Sequence, residues 1–183
     1  MSTDPRVHEF CRVVLARSEE NRAAAKLLQS ARLSGNLISI LRQELDSLVR
    51  VIYLLNTGDP SLRKTLIDAT LQGKPWRHPS NKKITDREML ETVTPGGGWE
   101  RSVYKFGCAF IHLSELHGYR SNDPFTQLPR HEQDAILQHL RFYHGGPAGS
   151  AVTFEQIEPF LPRVLEKISE NLKAHVRDLD EQS

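Results

Sequence analysis

Apolar residues recur at helical spacing along most of this 183-residue chain. Over Leu37–Leu55, LISILRQELDSLVRVIYLL, they fall on nearly every side, which predicts a central helix packed all round. The same segment carries Arg42, Glu44, Asp46 and Arg50. Arg42 to Asp46 and Asp46 to Arg50 are i,i+4 steps, so these three share a face. Charges on so apolar a helix must pair or line a cleft, because an unpaired buried charge is strongly disfavoured.

The same periodicity places the other elements. A first helix is expected from Asp4-Pro5, a cap residue followed by a proline suited to the first helical position. Phe10, Val13, Val14, Leu27 and Leu28 form its apolar stripe, and the polar section Arg17–Arg22 reads as exposed. Ser34-Gly35-Asn36 is expected to end it. After the central helix comes the turn signal TGDP, then a helix over Pro60–Leu71 that stops at Gly73. Gly73–Lys83, GKPWRHPSNKK, is a basic connecting loop, and Thr85 with Glu88 has the spacing of a capping box. The run Pro95-Gly96-Gly97-Gly98 reads as a hinge rather than a phosphate loop, since there is no Walker pattern and no preceding strand.

Further helices are expected over Trp99–Gly118 and after Pro129, the latter closed by Gly145-Gly146-Pro147. Thr153 and Gln156 make a second capping box that opens a final helix to about Asp180, with Pro159 and Pro162 breaking its start. Its buried stripe is Leu161, Val164, Leu165, Ile168, Leu172 and Val176. No alternating strand pattern stands out. The fold expected is all-α, a helical bundle of four long helices plus shorter ones. It forms one domain over 1–183: a first helical hairpin at 1–56, short helices and the basic loop at 57–98, and C-terminal helices at 99–183.

Composition narrows the function classes. Basic and acidic residues number 24 and 23, a net charge of +1, so no global basic field points to nucleic acid and any such footprint must be local. Two cysteines, Cys11 and Cys108, make no disulfide framework or zinc set. No apolar run approaches the ~18 residues of a membrane span, and the N-terminus lacks the regions of a signal peptide. A soluble, cytoplasmic protein is expected.

Candidate chemistry gathers on Trp99–Gly118. Arg101, Lys105, Cys108, His112 and Glu115 follow one another at three- or four-residue steps, while Val103, Phe106, Gly107, Phe110 and Leu113 fill the other side. An imidazole titrates near neutrality, and a nearby cation stabilises a developing negative charge. His112, Lys105 and Arg101 are therefore the candidate catalytic residues, with Arg42, Asp46 and Arg50 as substrate-binding or orienting groups. Five of the eight histidines lie between positions 112 and 144, yet none has the spacing of a zinc motif, so neither metal nor cofactor is expected. Trp76, Arg77, His78, Lys82 and Lys83 are a second basic and aromatic group, able in principle to stack a base. The aromatics of Arg141-Phe142-Tyr143-His144 are expected to pack the helix end.

Two segments together resemble a family. ARLSGNLISILRQELDSLVRVIYLL is similar to the second helix of HEPN-like bundles, with Arg42 and Asp46 in an Arg-x-x-x-Glu/Asp pattern. YKFGCAFIHLS supplies Tyr104, Cys108, His112 and Ser114 at the places of a later helix of the same branch. The resemblance covers Ser30–Leu55 and Trp99–His117. It implies an RNA-directed protein, often a metal-independent ribonuclease whose Arg-x4–6-His site is completed across a homodimer. This chain departs from that signature: Lys105, with six residues between it and His112, stands where the arginine would be, and lysine lacks the planar fork that grips phosphate. RNA binding or metal-independent cleavage is one expectation. A non-catalytic homodimeric interaction module is the other, with a second copy of the chain as partner in both.

Overall fold

The computed structural model describes residues 4–94, 99–111 and 115–182. The hinge expected at Pro95–Gly98 and the candidate catalytic His112 lie outside them, as do Leu113 and Ser114. Among the described residues regular structure is helical, with a single bridge pair, Arg77 and Lys83. No helix among them is long and apolar enough to cross a membrane.

The elements are α1 (Pro5–Ser30), α2 (Ser34–Asn56), α3 (Pro60–Leu71), α4 (Asp86–Val93), α5 (Trp99–Ile111), α6 (Arg130–His144), α7 (Phe154–Ile157) and α8 (Leu161–Glu181). Local chemistry sets most boundaries. The Asp4 side chain accepts from the Arg6 amide at 2.8 Å, with Pro5 at the first helical position. Thr85 accepts from the Glu88 amide at 3.2 Å. Glu88 does not reach back to complete the box, because its carboxylate is taken by His78. Gly145 closes α6 in the left-handed region. Gln156 accepts from the Thr153 amide at 2.9 Å, but the helix it caps lasts only four residues. A 3-10 turn, Glu158–Phe160, carries Pro159 and separates it from α8.

The first hairpin turns earlier than the sequence suggests. Arg32 adopts φ 55°, and the Leu33 and Arg32 amides donate back to Leu28 and Gln29 at 2.9 and 3.0 Å, a Schellman ending. Ser34 and Gly35 are instead the first turn of α2. Gly35 is small for a packing reason: a Cβ there would meet the Tyr119 and Phe110 rings at 3.2 and 3.3 Å.

α2 is the axis of the molecule, packed by α1, α4, α5 and α8. Leu45, Val51 and Leu54 on it are completely buried, each contributing ~1.5–3 kcal/mol relative to exposure. All six stripe residues of α8 are buried as the periodicity predicts. α1 differs from expectation: Val13 and Leu27 are exposed, whereas Ser18 and Asn21, in the section read as solvated, are buried. Glu44 explains them. It is fully buried, and its carboxylate accepts from the Ser18 hydroxyl, from Asn21 at 2.8 Å and from the Ser169 hydroxyl at 2.8 Å. One acidic side chain of α2 thus draws polar residues of α1 and α8 into the core, because a buried carboxylate must be hydrogen-bonded.

The C-terminal part is tied by Asp123, whose carboxylate accepts from the amides of Phe125, Thr126 and Phe154 at 2.8–3.0 Å. Here lies a small apolar cavity of about 60 Å³, lined by Trp99, Phe106, Phe125, His139 and Leu161 among others. His139 stacks on Trp99 at 5.2 Å, with the His144 ring 5.2 Å away. Neither ring nitrogen of His139 has a hydrogen-bond partner among the described residues. Burial, aided by His144, pushes its pKa down to about 4, and burial with Arg163 and Lys167 lowers that of His144. A histidine neutral in the fold and free to protonate when unfolded favours unfolding as pH falls from ~6.5 towards about 4. The melting temperature is therefore expected to drop across that window and level off above it, and His139→Phe, which keeps the stack on Trp99, to drop less. Thermal denaturation of both forms from neutrality to pH ~4 checks this.

Candidate functional site

The charged residues of α2 form a connected cluster. The two oxygens of Asp86, at the start of α4, accept from Arg42 Nη2 at 3.0 Å and Arg50 Nη2 at 3.2 Å. Arg50 Nε lies 3.1 Å from both oxygens of Asp46, the expected i,i+4 pair. Arg17 of α1 adds a third guanidinium, 3.6 Å from Asp46 and 3.4 Å from the Ser47 hydroxyl. Arg42 therefore finds its partner across the fold in Asp86, while Asp46 is held by Arg50 and Arg17.

Arg42 is only 5% exposed, and its guanidinium sits 4.0 Å over the Tyr104 ring. Burial opposes its charge, but Cys108, Asp46 and Asp86 together raise its pKa above the ordinary arginine value. The Tyr104 hydroxyl is pushed up by burial and by Cys108, against the pull of Arg42. α5 comes so close here that a Cβ on Gly107 would lie 2.7 Å from Arg42 Cβ.

In front of this cluster opens a cleft of about 560 Å³ between α2, α4 and the loop after α3. Its cationic lining is Arg17, Arg50, Lys74, Lys83 and Arg87, against the one carboxylate Asp86. Lys74, Lys83 and Arg87 are exposed. The loop itself is ordered. Trp76 is buried, its Nε1 donates to Thr70 at 2.8 Å, and the amides of His78 and Ile84 close the turn onto Lys82 and Trp76. Trp76 is not displayed for base stacking, one role open to this loop: Arg50 lies over its ring at 4.9 Å and Tyr53 packs at 6.0 Å. The aromatic residue is a core anchor that aims its lysine neighbours at the cleft.

The remaining candidates lie elsewhere. Lys105 pairs with Glu132 of α6 at 3.0 Å. With Arg101 and His131 it lines a separate groove of about 290 Å³ between α5 and α6. The titratable stripe of α5 thus divides: Tyr104 and Cys108 turn to Arg42, whereas Arg101 and Lys105 turn to α6. The structure brings Arg42, Asp46 and Arg50 together and sets Lys105 and Arg101 apart from them. Lys83 comes from the basic loop noted in the sequence, whereas Asp86, Lys74 and Arg87 are members the sequence did not single out; a basic loop just before an acidic helix start was the available signal. The aromatics in the last turn of α6 also depart from expectation, since Phe142 is 78% and Tyr143 54% exposed. Among the described residues no three His, Cys, Asp or Glu side chains gather as metal ligands would.

Comparison with family models, curated proteins and solved structures gives no match to this chain.

Proposed function

We propose that this protein is an RNA-binding, HEPN-like helical protein that holds the phosphate backbone in the cleft in front of Arg42, Asp46 and Arg50. The observation that carries the reading is the convergence of five cationic side chains on one cleft with a single carboxylate at its wall. Phosphate contacts supply most of the affinity of a protein that reads charge rather than sequence. The covered faces of Trp76 and Tyr104 fit such a reader, because base stacking would need them open.

Fluorescence anisotropy with single-stranded RNA at several salt concentrations tests this. Lys74→Glu combined with Lys83→Glu is expected to weaken binding at least ~10-fold and flatten the salt dependence, each lost phosphate contact removing ~0.7 from the log–log slope. Unchanged affinity and slope would sink the RNA reading. A metal-independent cleavage step, with His112 as general base or acid and Lys105 or Arg101 stabilising the phosphorane-like transition state, belongs to the same proposal; because Lys105 and Arg101 line the α5–α6 groove, the scissile phosphate would lie there and not on Arg42 and Arg50. Its assay is RNA cleavage in EDTA by wild type, His112→Ala and Lys105→Ala.

The second reading, a non-catalytic homodimeric module, is favoured by the exposed Phe142 and Tyr143 rings. Light scattering of wild type and Phe142→Ser separates the two.

A further inference from the structure

The carboxylate of Asp86 sits in the cluster as a bound anion would. Its two oxygens are gripped by two different guanidiniums, Arg42 at 3.0 Å and Arg50 at 3.2 Å. We propose that the cleft takes a phosphomonoester, the dianionic end of an RNA chain, by exchanging it for the Asp86 carboxylate on the Arg42–Arg50 fork. This rests on the RNA-binding reading above and names the part of the RNA that the site selects.

Exposure makes the exchange mechanically simple. The Asp86 side chain is 42% exposed and Arg42 only 7%, so the carboxylate can rotate into solvent while the guanidinium stays. α4 need not move with it, because the buried Met89 and Leu90, one turn further on, anchor the helix in the core. Asp46 is deeper, and both its oxygens hold Arg50 Nε. It fixes the plane of Arg50 and keeps Nη2 aimed at the place where the ligand would sit.

Charge then decides which phosphate is accepted. An internal phosphodiester carries one negative charge, as the carboxylate does, so swapping one for the other gains little at the fork and leaves a displaced Asp86 repelling it nearby. A phosphomonoester is close to a dianion at neutral pH and has three terminal oxygens. Two can replace the carboxylate oxygens on Arg42 and Arg50, and the third with its extra charge faces the rim, where Lys74 and Lys83 are exposed. The preference is for an end over an interior, without regard to base.

The experiment titrates the full chain with internally labelled oligoribonucleotides of one sequence, about ten nucleotides long, carrying a 5′-phosphate, a 3′-phosphate or hydroxyls at both ends. Wild type and Asp86→Asn are compared, each with a melting curve. The expected result is that wild type binds one phosphorylated form at least ~10-fold tighter than the hydroxyl form, the scale of one added charge-assisted contact. Asp86→Asn should bind the hydroxyl form more tightly than wild type does and so narrow that preference. Equal affinity of wild type for all three forms overturns the proposal while leaving RNA binding intact. Weaker binding by a folded Asp86→Asn protein also overturns it and makes the carboxylate a structural tie. If Asp86→Asn does not fold, the wild-type comparison of ends decides alone. Binding of no form removes the RNA reading and this inference together.

Discussion

Glu44→Ala is expected to lower stability by about 3–5 kcal/mol. The side chain is fully buried and satisfies three donors, the hydroxyls of Ser18 and Ser169 and the amide of Asn21. Truncation leaves those donors facing a void. Each unsatisfied buried group costs about 1–3 kcal/mol, reduced where a hydroxyl can rotate to another acceptor, and the cavity adds its own penalty. In a chain of this size the melting temperature should fall by roughly 6–20 °C. Glu44→Gln keeps the shape and one acceptor oxygen, so it should cost only about 1–2 kcal/mol. Urea denaturation monitored by circular dichroism separates the two. Equal stability of Glu44→Ala and wild type would mean that the network contributes nothing net.

The second large effect is expected at Gly107. Alanine normally stabilises a helix by about 0.5–1 kcal/mol over glycine. Here the added methyl would lie 2.7 Å from Arg42 Cβ and 3.2–3.3 Å from Cγ and Cδ. Cβ cannot swing away without moving α2, so α5 must retreat, at a cost of about 1–3 kcal/mol typical of overpacking. Strain should win, leaving Gly107→Ala less stable than wild type by about 1–2 kcal/mol. Gly58→Ala is the control, since nothing lies within 4 Å of a Cβ there; it should stay within ~0.5 kcal/mol of wild type. Chemical denaturation of the three proteins measures the difference, and a Gly107→Ala protein as stable as the control would show that the two helices separate at no cost.

The sequence was most legible where a pattern is local. The all-round apolar run of α2, the stripe of α8 and the caps at Asp4-Pro5, Thr85 and Gly145 are decided within a turn or two of chain, and they stand where the residues put them. What escaped is what distant segments decide together. Arg42 looked like the partner of Asp46, four residues on, but its carboxylate comes from Asp86, 44 residues away. Ser18 and Asn21 looked solvated because nothing in α1 announces Glu44. Trp76 looked displayed because its neighbours are polar, yet one hydrogen bond to Thr70 and the cover of Arg50 take it inside. Conversely, Phe142 follows a helical pattern and still points to water. A burial pattern states which side of a helix is apolar, not whether a neighbour is present to cover it.

The docking of α8 on α1 and α2 has a consequence for synthesis on the ribosome. The first hairpin is complete at Asn56, but the helix that covers its apolar face and supplies Ser169 to Glu44 begins only at Leu161. More than 100 residues must be polymerised in between, which takes roughly 5–20 s at ~5–20 residues per second. Throughout that interval the nascent hairpin presents a hydrophobic surface with a carboxylate at its centre. The same acidic side chain that ties α1 and α8 together in the finished core keeps that surface hydrated while it waits for its lid.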